Sequence, residues 1–503
     1  MRRDFLVRTL LGVSGLSVCR MGHANKAPLG QTHTESLVEL SATEIVALLQ
    51  SGDLSSEQYV TALLEQCRKH RALNAFIWQN EQEVLESARA ADKKRNVKAS
   101  GPLHGLPVLM KDNIDTANAP TTAGTPALRN HRPRTDAPVG AALFSAGAIL
   151  FGKTNLHELA LGITSNNSAF GAVHNPYNPA MIPGGSSGGN ACAIAARLCA
   201  AGLGTDTGGS VRIPAALCGI TALRPTTGRY PGKGIFPLCH TRDTPGPMAR
   251  SVSDLALFDS IITGDTAHIQ PAALKGVRIG VPRGVFYENL DASLAPVIET
   301  ALTKLRQAGC VLVEAEITDV EKLFGAAIVP VTFYEMPRDV SRYLVDSGAN
   351  ITIKDLAAQI ASSDVKVPFD TFVFGPRAIT QEAYDAAIKQ TRPAYQSAYR
   401  DYFRSNDLAA IVYPTTILPA RPIGDDAEVE LNGKKVPTFA TFTRNARLST
   451  MAGIPGLSLP VGLTAAGLPV GLELDAPQGQ DRKLLSLGLA VEALFEKLRP
   501  PLG

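Results

Sequence analysis

Two serine-bearing glycine loops lie close together along this chain and have the residue types of a hydrolase active site. The first reads GGSSGG over residues 184–189, and the second reads GTDTGGS over residues 204–210. Glycine lets the backbone approach a ligand closely, and successive N–H groups in such a loop can converge on one oxygen atom. A serine beside those donors could attack a carbonyl carbon while the N–H groups stabilise the oxyanion that forms.

A serine nucleophile needs a base, and the sequence offers a lysine rather than a histidine for this role. Lys111 ends the apolar run GLPVLM of residues 105–110, which predicts a buried strand. A lysine that is desolvated and uncharged can accept a proton from a serine. A polar residue at the end of a buried strand also lies where α/β folds usually carry their chemistry. We therefore expect Lys111 to act together with the two serine loops.

These motifs resemble the amidase signature family of serine hydrolases. The similar segments are PVLMKDN around Lys111, GGSSGG at 184–189 and GTDTGGSVR at 204–212, in that order. The resemblance implies that Ser210 is the nucleophile, Ser186 the bridging serine behind a cis peptide bond, and Lys111 the base. It also implies an acyl-enzyme, with protons relayed through Ser186 during its formation and hydrolysis.

Supporting roles are expected for several residues around these three. The backbone N–H groups that would stabilise the oxyanion belong to Thr207, Gly208 and Gly209. Ser187 is expected to hydrogen-bond near the triad. Asp206 and Arg212 flank the second loop and could either orient it or pair with each other. We predict no cofactor and no metal, because His157 and Glu158 form no metal-ligand spacing with the nearby histidines.

Two competing motifs are judged by the structural context that each one requires. Residues 147–154 read GAILFGKT and match the Walker A pattern, but their apolar centre predicts a buried strand rather than a phosphate loop. Ser187 is also the centre of a G-x-S-x-G pattern. The segment HNPYNPAMIP before it carries three prolines, which argues against the strand of a nucleophile elbow. His240 and His268 follow it without a convincing preceding acid partner, so we do not favour a Ser-His-Asp hydrolase.

Hydrophobic periodicity and capping residues predict the elements that position these loops. The main predicted elements are helices over 41–50, 55–70, 81–95, 136–146 (capped by Asp136), 190–201, 291–308 and 482–498, and strands over 76–78, 149–151, 408–414 and 456–461. Residues 318–405 are predicted to be helical and irregular. Phe333 and Phe372 belong to the aromatic residues of that stretch, which we expect more often in the core than in a ligand pocket.

The composition is that of a large globular protein with no charge pattern typical of nucleic-acid binding. The chain has 503 residues, 45% of them hydrophobic, and a formal net charge of +3. The family resemblance implies one large α/β/α unit with a mixed, twisted central sheet covered by helices. This unit would span residues 25–503, with the signature core at about 100–260 and the substrate pocket region at about 318–405. The oligomeric state is left open between a monomer and a homodimer.

Residues 1–24 have the features of a twin-arginine export signal. Arg2 and Arg3 precede an apolar stretch that ends near Val18, and small residues follow up to Ala24. The pattern predicts cleavage after Ala24, a periplasmic or secreted mature protein, and no stable membrane association after cleavage. The alternative is a cytoplasmic protein with a basic start. The six cysteines that follow the signal are expected to be small core residues.

The substrate prediction depends on two further segments. RPTTGRYP at 224–231 and HTRDTPG at 240–246 resemble the branch that contains mandelamide and indoleacetamide hydrolases. That resemblance implies hydrolysis of a small aryl-acetamide-type primary amide to a carboxylate and ammonia. Peptide C-terminal amides, oligoamides and anilides remain alternatives, as do a transamidation subunit with partner chains and a catalytically inactive binding protein.

Overall fold

The described part of the chain, residues 36–95 and 101–502 of the computed structural model, forms one large mixed sheet with helices packed around it. The α/β fold class expected from the sequence is confirmed. The strands are β1 (Phe76–Trp78), β2 (Pro107–Lys111), β3 (Ile149–Thr154), β4 (Asn166–Asn167), β5 (Gly171–Ala172), β6 (Ala201–Asp206), β7 (Thr221–Arg224), β8 (Thr244–Ala249), β9 (Arg278–Gly280), β10 (Val311–Val313), β11 (Ala410–Pro414), β12 (Glu428–Leu431), β13 (Lys434–Pro437), β14 (Gly456–Leu463) and β15 (Pro469–Asp475).

Seventeen α-helices lie entirely within the described residues. They are α1 (Ala42–Ser51), α2 (Ser56–Lys69), α3 (Glu81–Lys94), α4 (Pro138–Ser145), α5 (Gly188–Ala195), α6 (Arg212–Cys218), α7 (Val252–Thr263), α8 (Arg283–Phe286), α9 (Ala295–Gln307), α10 (Val320–Asp346), α11 (Ile353–Ala358), α12 (Ser363–Pro368), α13 (Gln381–Ala386), α14 (Arg392–Ser405), α15 (Thr438–Thr443), α16 (Ala446–Ala452) and α17 (Asp481–Glu492). Short π-helical turns at Phe369–Val373 and Ala387–Thr391 interrupt the segment between α12 and α14.

The central sheet brings the predicted reactive segments to one edge. Its eleven strands follow the order β1-β3-β2-β6-β8-β7-β14-β15-β11-β9-β10. β2 lies parallel to both β3 and β6, whereas β8 runs antiparallel to β6. The carboxyl ends of parallel neighbours point the same way, so the ends of β2 and β6 lie side by side. Lys111 is the last residue of β2, and the second glycine loop begins directly after Asp206, the last residue of β6.

The helix after the first glycine loop is shorter than the sequence predicts. We expected it over 190–201, but α5 covers Gly188–Ala195, and residues 201–206 form the buried strand β6. The chain leaves the helix through Arg197, which has a left-handed φ of 61°. Because α5 begins with two glycines, its first turn packs directly on backbone: a Cβ added to Gly189 would lie 2.3 Å from the Asn155 carbonyl oxygen. The close packing fixes the first glycine loop against the sheet.

Other predicted boundaries hold within a few residues, with two exceptions. Ser41 and Ser55 form the predicted capping boxes of α1 and α2. Asp136 does not cap α4, which begins at Pro138 instead; the Asp136 carboxylate accepts a hydrogen bond from the Ala117 N–H. Proline favours this start because its fixed φ suits the first helical position, where its missing N–H costs nothing. The last helix also ends early, at Glu492 rather than at 498.

The structure shows whether the described cysteines form disulfides and whether a described helix could cross a membrane. All six cysteines after residue 24 are buried and unpaired, as expected for core residues. Within residues 36–95 and 101–502, no helix is both long enough and apolar enough to cross a bilayer. The predicted signal, residues 1–24, lies outside the described residues. The predicted boundaries of the signature core and the pocket region stay predictions.

Candidate active site

Lys111 is wholly buried and faces two hydroxyl groups rather than a carboxylate. Its Nζ lies 2.7 Å from Ser186 Oγ and 2.9 Å from Thr205 Oγ1. Thr205 comes from β6, the strand next to β2, and was not singled out from the sequence. Burial lowers the pKa of Lys111 to about 7, although Asp206 and Asp243 favour its charged form. Near neutral pH, a substantial fraction of this amine is therefore uncharged and able to accept a proton.

The first glycine loop presents Ser186 to this lysine. The peptide bond between Gly185 and Ser186 is cis, as the family resemblance implied. Ser186 is fully buried, and its carbonyl oxygen accepts a hydrogen bond from the His157 N–H over 3.2 Å. The next residue, Ser187, links the two loops, because its N–H donates to the Ser210 carbonyl oxygen over 3.1 Å. The structure thus brings Lys111, Ser186 and the Ser210 segment into one site.

The Asp206 carboxylate holds the second glycine loop in place by binding its backbone N–H groups. Its carboxylate accepts hydrogen bonds from the N–H groups of Gly209 (2.9 Å) and Val211 (3.3 Å). Gly209 has a φ of 111°, which an L side chain rarely adopts, so glycine is required for this turn. The Gly209 N–H is therefore already engaged. Asp206 does not accept a hydrogen bond from the N–H groups of Thr207 and Gly208, the other two that were predicted to stabilise an oxyanion.

Two buried arginines hold Asp206 in its charged form. Arg212 bonds its carboxylate through Nε at 3.0 Å, and Arg224 through Nη1 at 3.1 Å. Although burial alone would raise the pKa of Asp206, these arginines and the loop N–H groups keep it well below its usual range. The predicted alternative that Asp206 and Arg212 pair with each other is thus present in the structure, and the same pair also orients the loop. Arg224 was not identified from the sequence.

Arg212 extends this network to a buried carboxyl pair on β15. Its Nη1 donates to Glu473 Oε1 over 2.6 Å and lies 4.0 Å from Asp475 Oδ1. Burial raises the pKa of both carboxyl groups, and Glu473 raises that of Asp475 further. The sequence signal for this pair is GLELD at 471–475, where acidic residues alternate with apolar ones on a strand that is otherwise buried.

Asp243 and Arg242 hold Thr207, which lies near the start of the same loop. Thr207 Oγ1 donates to Asp243 Oδ1 over 2.5 Å, and Arg242 Nη2 donates to the Thr207 carbonyl oxygen over 2.8 Å. Asp243 also accepts the N–H groups of Leu238 and Cys239, both at 2.8 Å. Arg242 and Asp243 belong to the HTRD segment, and the sequence alone did not predict that this segment fixes the loop.

A cavity of about 210 Å³ opens above Ser210. Ser210 is 8% exposed and lies at its floor with Thr207 and Gly208. The walls are mainly apolar and include Leu161, Ile163, Leu238, Ile328, Val329 and Phe333. Phe333 was expected more often in the core, but it lines the cavity and stacks on Phe372 with ring centres 4.4 Å apart. An apolar cavity beside a serine hydroxyl suits the acyl part of a small substrate.

A family model for amidases matches residues 58–485. The chain belongs to the amidase signature family. It is an amidase, an enzyme that hydrolyses amide carbon–nitrogen bonds.

Curated relatives and solved structures resemble this amidase over most of its length. An indoleacetamide hydrolase from Agrobacterium vitis is 44% identical over 452 residues, which cover 90% of this chain and 96% of that protein. A mandelamide hydrolase from Pseudomonas putida is 38% identical over 480 residues and covers 92% of each chain. The crystal structure of a peptide amidase in complex with the competitive inhibitor chymostatin has 31% identity and a TM-score of 0.79, covering 92% of this chain and 99% of that one.

The two competing motifs have structural roles in the amidase. Lys153 of the Walker-like segment is buried in β3, and its Nζ donates to the carbonyl oxygens of Ile114 (2.8 Å) and Pro120 (2.9 Å). Ser187 Oγ lies 3.3 Å from the Thr205 carbonyl oxygen, to which it donates. Ser187 therefore hydrogen-bonds to the backbone of Thr205, whose side chain contacts Lys111, and is not placed on a nucleophile elbow.

His157 and Glu158 connect the glycine loops to helices α11 and α12. His157 Nε2 lies 3.0 Å from an Asp364 carboxylate oxygen. The Glu158 carboxylate accepts the Thr125 hydroxyl at 2.8 Å and the Ser362 N–H at 2.7 Å. His157 and Glu158 thus connect the segment after β3 to residues 362 and 364, which belong to the predicted pocket region.

One cluster in the described residues has the side chains of a metal site. The nearest donor atoms of His240, Glu335 and Asp339 all lie within 4.8 Å of one another. The acid partners of His240 follow it in the chain, with Asp339 Oδ2 at 2.8 Å from its Nδ1. Glu335 is engaged by the hydroxyl groups of Thr241 and Tyr384. Because these groups satisfy one another, we interpret the cluster as an ionic link between α10 and the HTRD segment.

Proposed function

We propose that this amidase hydrolyses a small primary amide of an arylacetic-type acid to a carboxylate and ammonia through Ser210, Ser186 and Lys111. The observation that carries the proposal is the 2.7 Å contact between Lys111 Nζ and Ser186 Oγ, made by a buried lysine whose pKa is near 7. A serine hydroxyl at this distance from an uncharged amine can pass its proton to the amine.

The proposed reaction runs in two halves. In the first, Lys111 accepts the proton of Ser186, and Ser186 takes the proton of Ser210 as Ser210 Oγ attacks the amide carbonyl carbon. The N–H groups of Thr207 and Gly208 stabilise the oxyanion. The relay then returns the proton to the amide nitrogen, the carbon–nitrogen bond breaks, and ammonia leaves. In the second half, water gives its proton to the same relay and attacks the acyl-enzyme, which releases the carboxylate and restores Ser210.

The cavity and the named relatives support an arylacetic acyl group. The walls above Ser210 are mainly apolar, which suits an aromatic ring. Two of the relatives that align with most of the chain are named for hydrolysis of indoleacetamide and mandelamide, both amides with an aromatic group near the carbonyl. Peptide C-terminal amides are the leading alternative because a peptide amidase shares the fold. Oligoamides, anilides and transamidation with partner chains have no further support from the site.

Ammonia release from a panel of amides tests the substrate class. We expect wild-type protein to hydrolyse phenylacetamide, mandelamide or indole-3-acetamide with kcat/KM at least tenfold above that for a peptide amide, because the apolar cavity favours a compact aromatic acyl group. An anilide, followed through its aniline, completes the panel. Turnover of only the peptide amide or the anilide would leave the chain an amidase but exclude the arylacetic class.

We further propose that residues 1–24 direct export by the twin-arginine route. Changing Arg2 and Arg3 to lysine is expected to leave the protein uncleaved in the cytoplasm, because the arginine pair is the feature that this route reads. Cell fractionation with intact-mass measurement checks this. The wild-type protein should appear in the periplasm with Asn25 as its first residue, and full-length wild-type protein in the cytoplasm would contradict the proposal.

A further inference from the structure

Arg447 differs from the other arginines near the substrate cavity. Arg212 and Arg224 bond Asp206, Arg242 bonds Thr332 and the Thr207 carbonyl oxygen, and Arg444 donates to the Phe286 carbonyl oxygen. The Arg447 side chain makes no hydrogen bond and no ion pair in the part of the chain that the structure describes, and its Nε is buried without an acceptor. Its guanidinium carbon instead lies 5.1 Å from the centre of the Phe324 ring.

This unpaired cation lies at the wall of the substrate cavity. Arg447 belongs to α16 and lines the cavity together with Ser210 and Phe333. Its side chain starts beside the second glycine loop, since a Cβ added to Gly208 would lie 4.0 Å from the Cβ of Arg447. The donors of Arg447 are therefore available to a molecule whose carbonyl group is held at Ser210.

Placing the Arg447 guanidinium at the cavity wall without a hydrogen-bond acceptor costs free energy, and a carboxylate on a ligand would supply the missing acceptor. Burial and the nearby Arg242 lower the pKa of Arg447, although Tyr395 and Glu321 favour its charged form. The half-buried guanidinium loses part of its hydration, and contact with the Phe324 ring does not replace the hydrogen bonds to water that it gives up. A carboxylate restores this balance best, because it accepts two parallel N–H groups of the guanidinium fork. Arg242 cannot serve in the same way, because its own donors are taken by Thr332, Thr450 and Thr207.

We propose that the substrate's acyl group carries a carboxylate and that Arg447 binds it. The proposal rests on the proposed function, in which this cavity holds the acyl part of the amide that Ser210 attacks. Arg447 is then the residue that selects among amides of similar size, and the preferred substrate is an amide with an acidic group at the far end of its acyl chain or ring.

Calorimetric titration of the Ser210→Ala protein tests this binding without turnover. The paired probes are 4-carboxyphenylacetamide and phenylacetamide. We expect the carboxylate-bearing probe to bind at least tenfold more tightly in the presence of Arg447. Adding Arg447→Met should remove this preference, and Arg447→Lys should keep part of it, because lysine retains the charge but not the fork. Arg444→Met, which removes a nearby arginine that does not line the cavity, is the matched control and should keep the preference.

Three results test the carboxylate proposal independently of the proposed arylacetic substrate class. Equal affinity for the two probes in the Ser210→Ala protein would overturn it. A loss of affinity for both probes by the same factor in Arg447→Met would also overturn it and would instead assign Arg447 to stacking on the aromatic ring. Glutaramate against pentanamide repeats the comparison without a ring. If wild-type protein hydrolyses no arylacetamide but Arg447 still favours glutaramate at least tenfold, the arylacetic class fails and the carboxylate proposal stands.

Discussion

Ser210→Ala is expected to abolish formation of the acyl-enzyme and to lower kcat by a factor of roughly 10⁴ or more, the scale typical for loss of a nucleophile that acts with its base as a unit. Ser210 lies at the floor of the cavity, and its loop is fixed by Asp206 below and by Arg242 at Thr207. Removing one hydroxyl from this loop deletes the proposed attacking atom and leaves the surrounding contacts in place.

Two measurements separate this effect from a general loss of structure. Rapid quenching of the wild-type protein during turnover, followed by mass spectrometry, should show the acyl adduct on the peptide that contains Ser210, and the variant should show none. Ser187→Ala is the matched control, because Ser187 is also a buried loop serine but bonds the Thr205 carbonyl oxygen. It should retain activity within about tenfold, since it loses only two long, neutral hydrogen bonds to the Thr205 backbone. An adduct on Ser187, or near wild-type turnover by Ser210→Ala, would contradict the proposed roles.

The local parts of this site could be predicted from the sequence because short motifs determine them. Lys111 ends a predicted strand, Ser186 follows a glycine pair, and the structure brings them within hydrogen-bonding distance. The helix expected over 190–201 was wrong at its end because strand pairing of residues 201–206 with β2 and β8 outweighs the helix propensity of their small residues.

The long-range supports could not be predicted from spacing. Arg212 meets Glu473, which is 261 residues later in the chain, and nothing local to either residue specifies the other. Arg447 is a second case that spacing could not predict, because here a contact is missing rather than present. Its sequence neighbourhood resembles that of Arg444, yet only the tertiary structure shows that Arg444 has an acceptor and that Arg447 has none among residues 36–95 and 101–502. Contacts of this kind depend on how distant elements pack, and no local pattern in a single sequence identifies them.

Lys111→Met is expected to lower kcat/KM by roughly 10³ or more, the upper range for loss of a general base that is coupled to its nucleophile. The pH dependence provides the direct test of the role. With the pKa of Lys111 at about 7, the uncharged form increases about tenfold per pH unit below that value. The kcat/KM of the wild-type protein should therefore rise with pH up to about 7 and level off above it. The residual activity of Lys111→Met should lose this inflection.

The same substitution is expected to stabilise the fold, because Lys111 is buried, its Nζ hydrogen-bonds to hydroxyl groups, and it forms no ion pair with any residue that the structure describes. Its pKa falls from an ordinary value near 10.5 to about 7 in the folded state, so the unfolded chain binds the proton more tightly. By linkage, the free energy of unfolding is lowered fully below pH 7 and recovers as the pH rises towards 10.5. At about 1.4 kcal/mol per pKa unit, this burial costs on the order of 4 kcal/mol at neutral pH, which methionine avoids.

Lys153 provides the matched control for this argument. It is equally buried on the neighbouring strand, but its Nζ lies 3.3 Å from an Asp112 carboxylate oxygen. Lys153→Met should destabilise the protein, since it leaves that buried carboxylate without its cation. Denaturant unfolding at pH 7 should therefore move in opposite directions for the two variants. A destabilised Lys111→Met protein would show that Lys111 is held as a charged structural residue, and the proposed base would have to be sought elsewhere; a stable but inactive protein is the result that a neutral catalytic lysine requires.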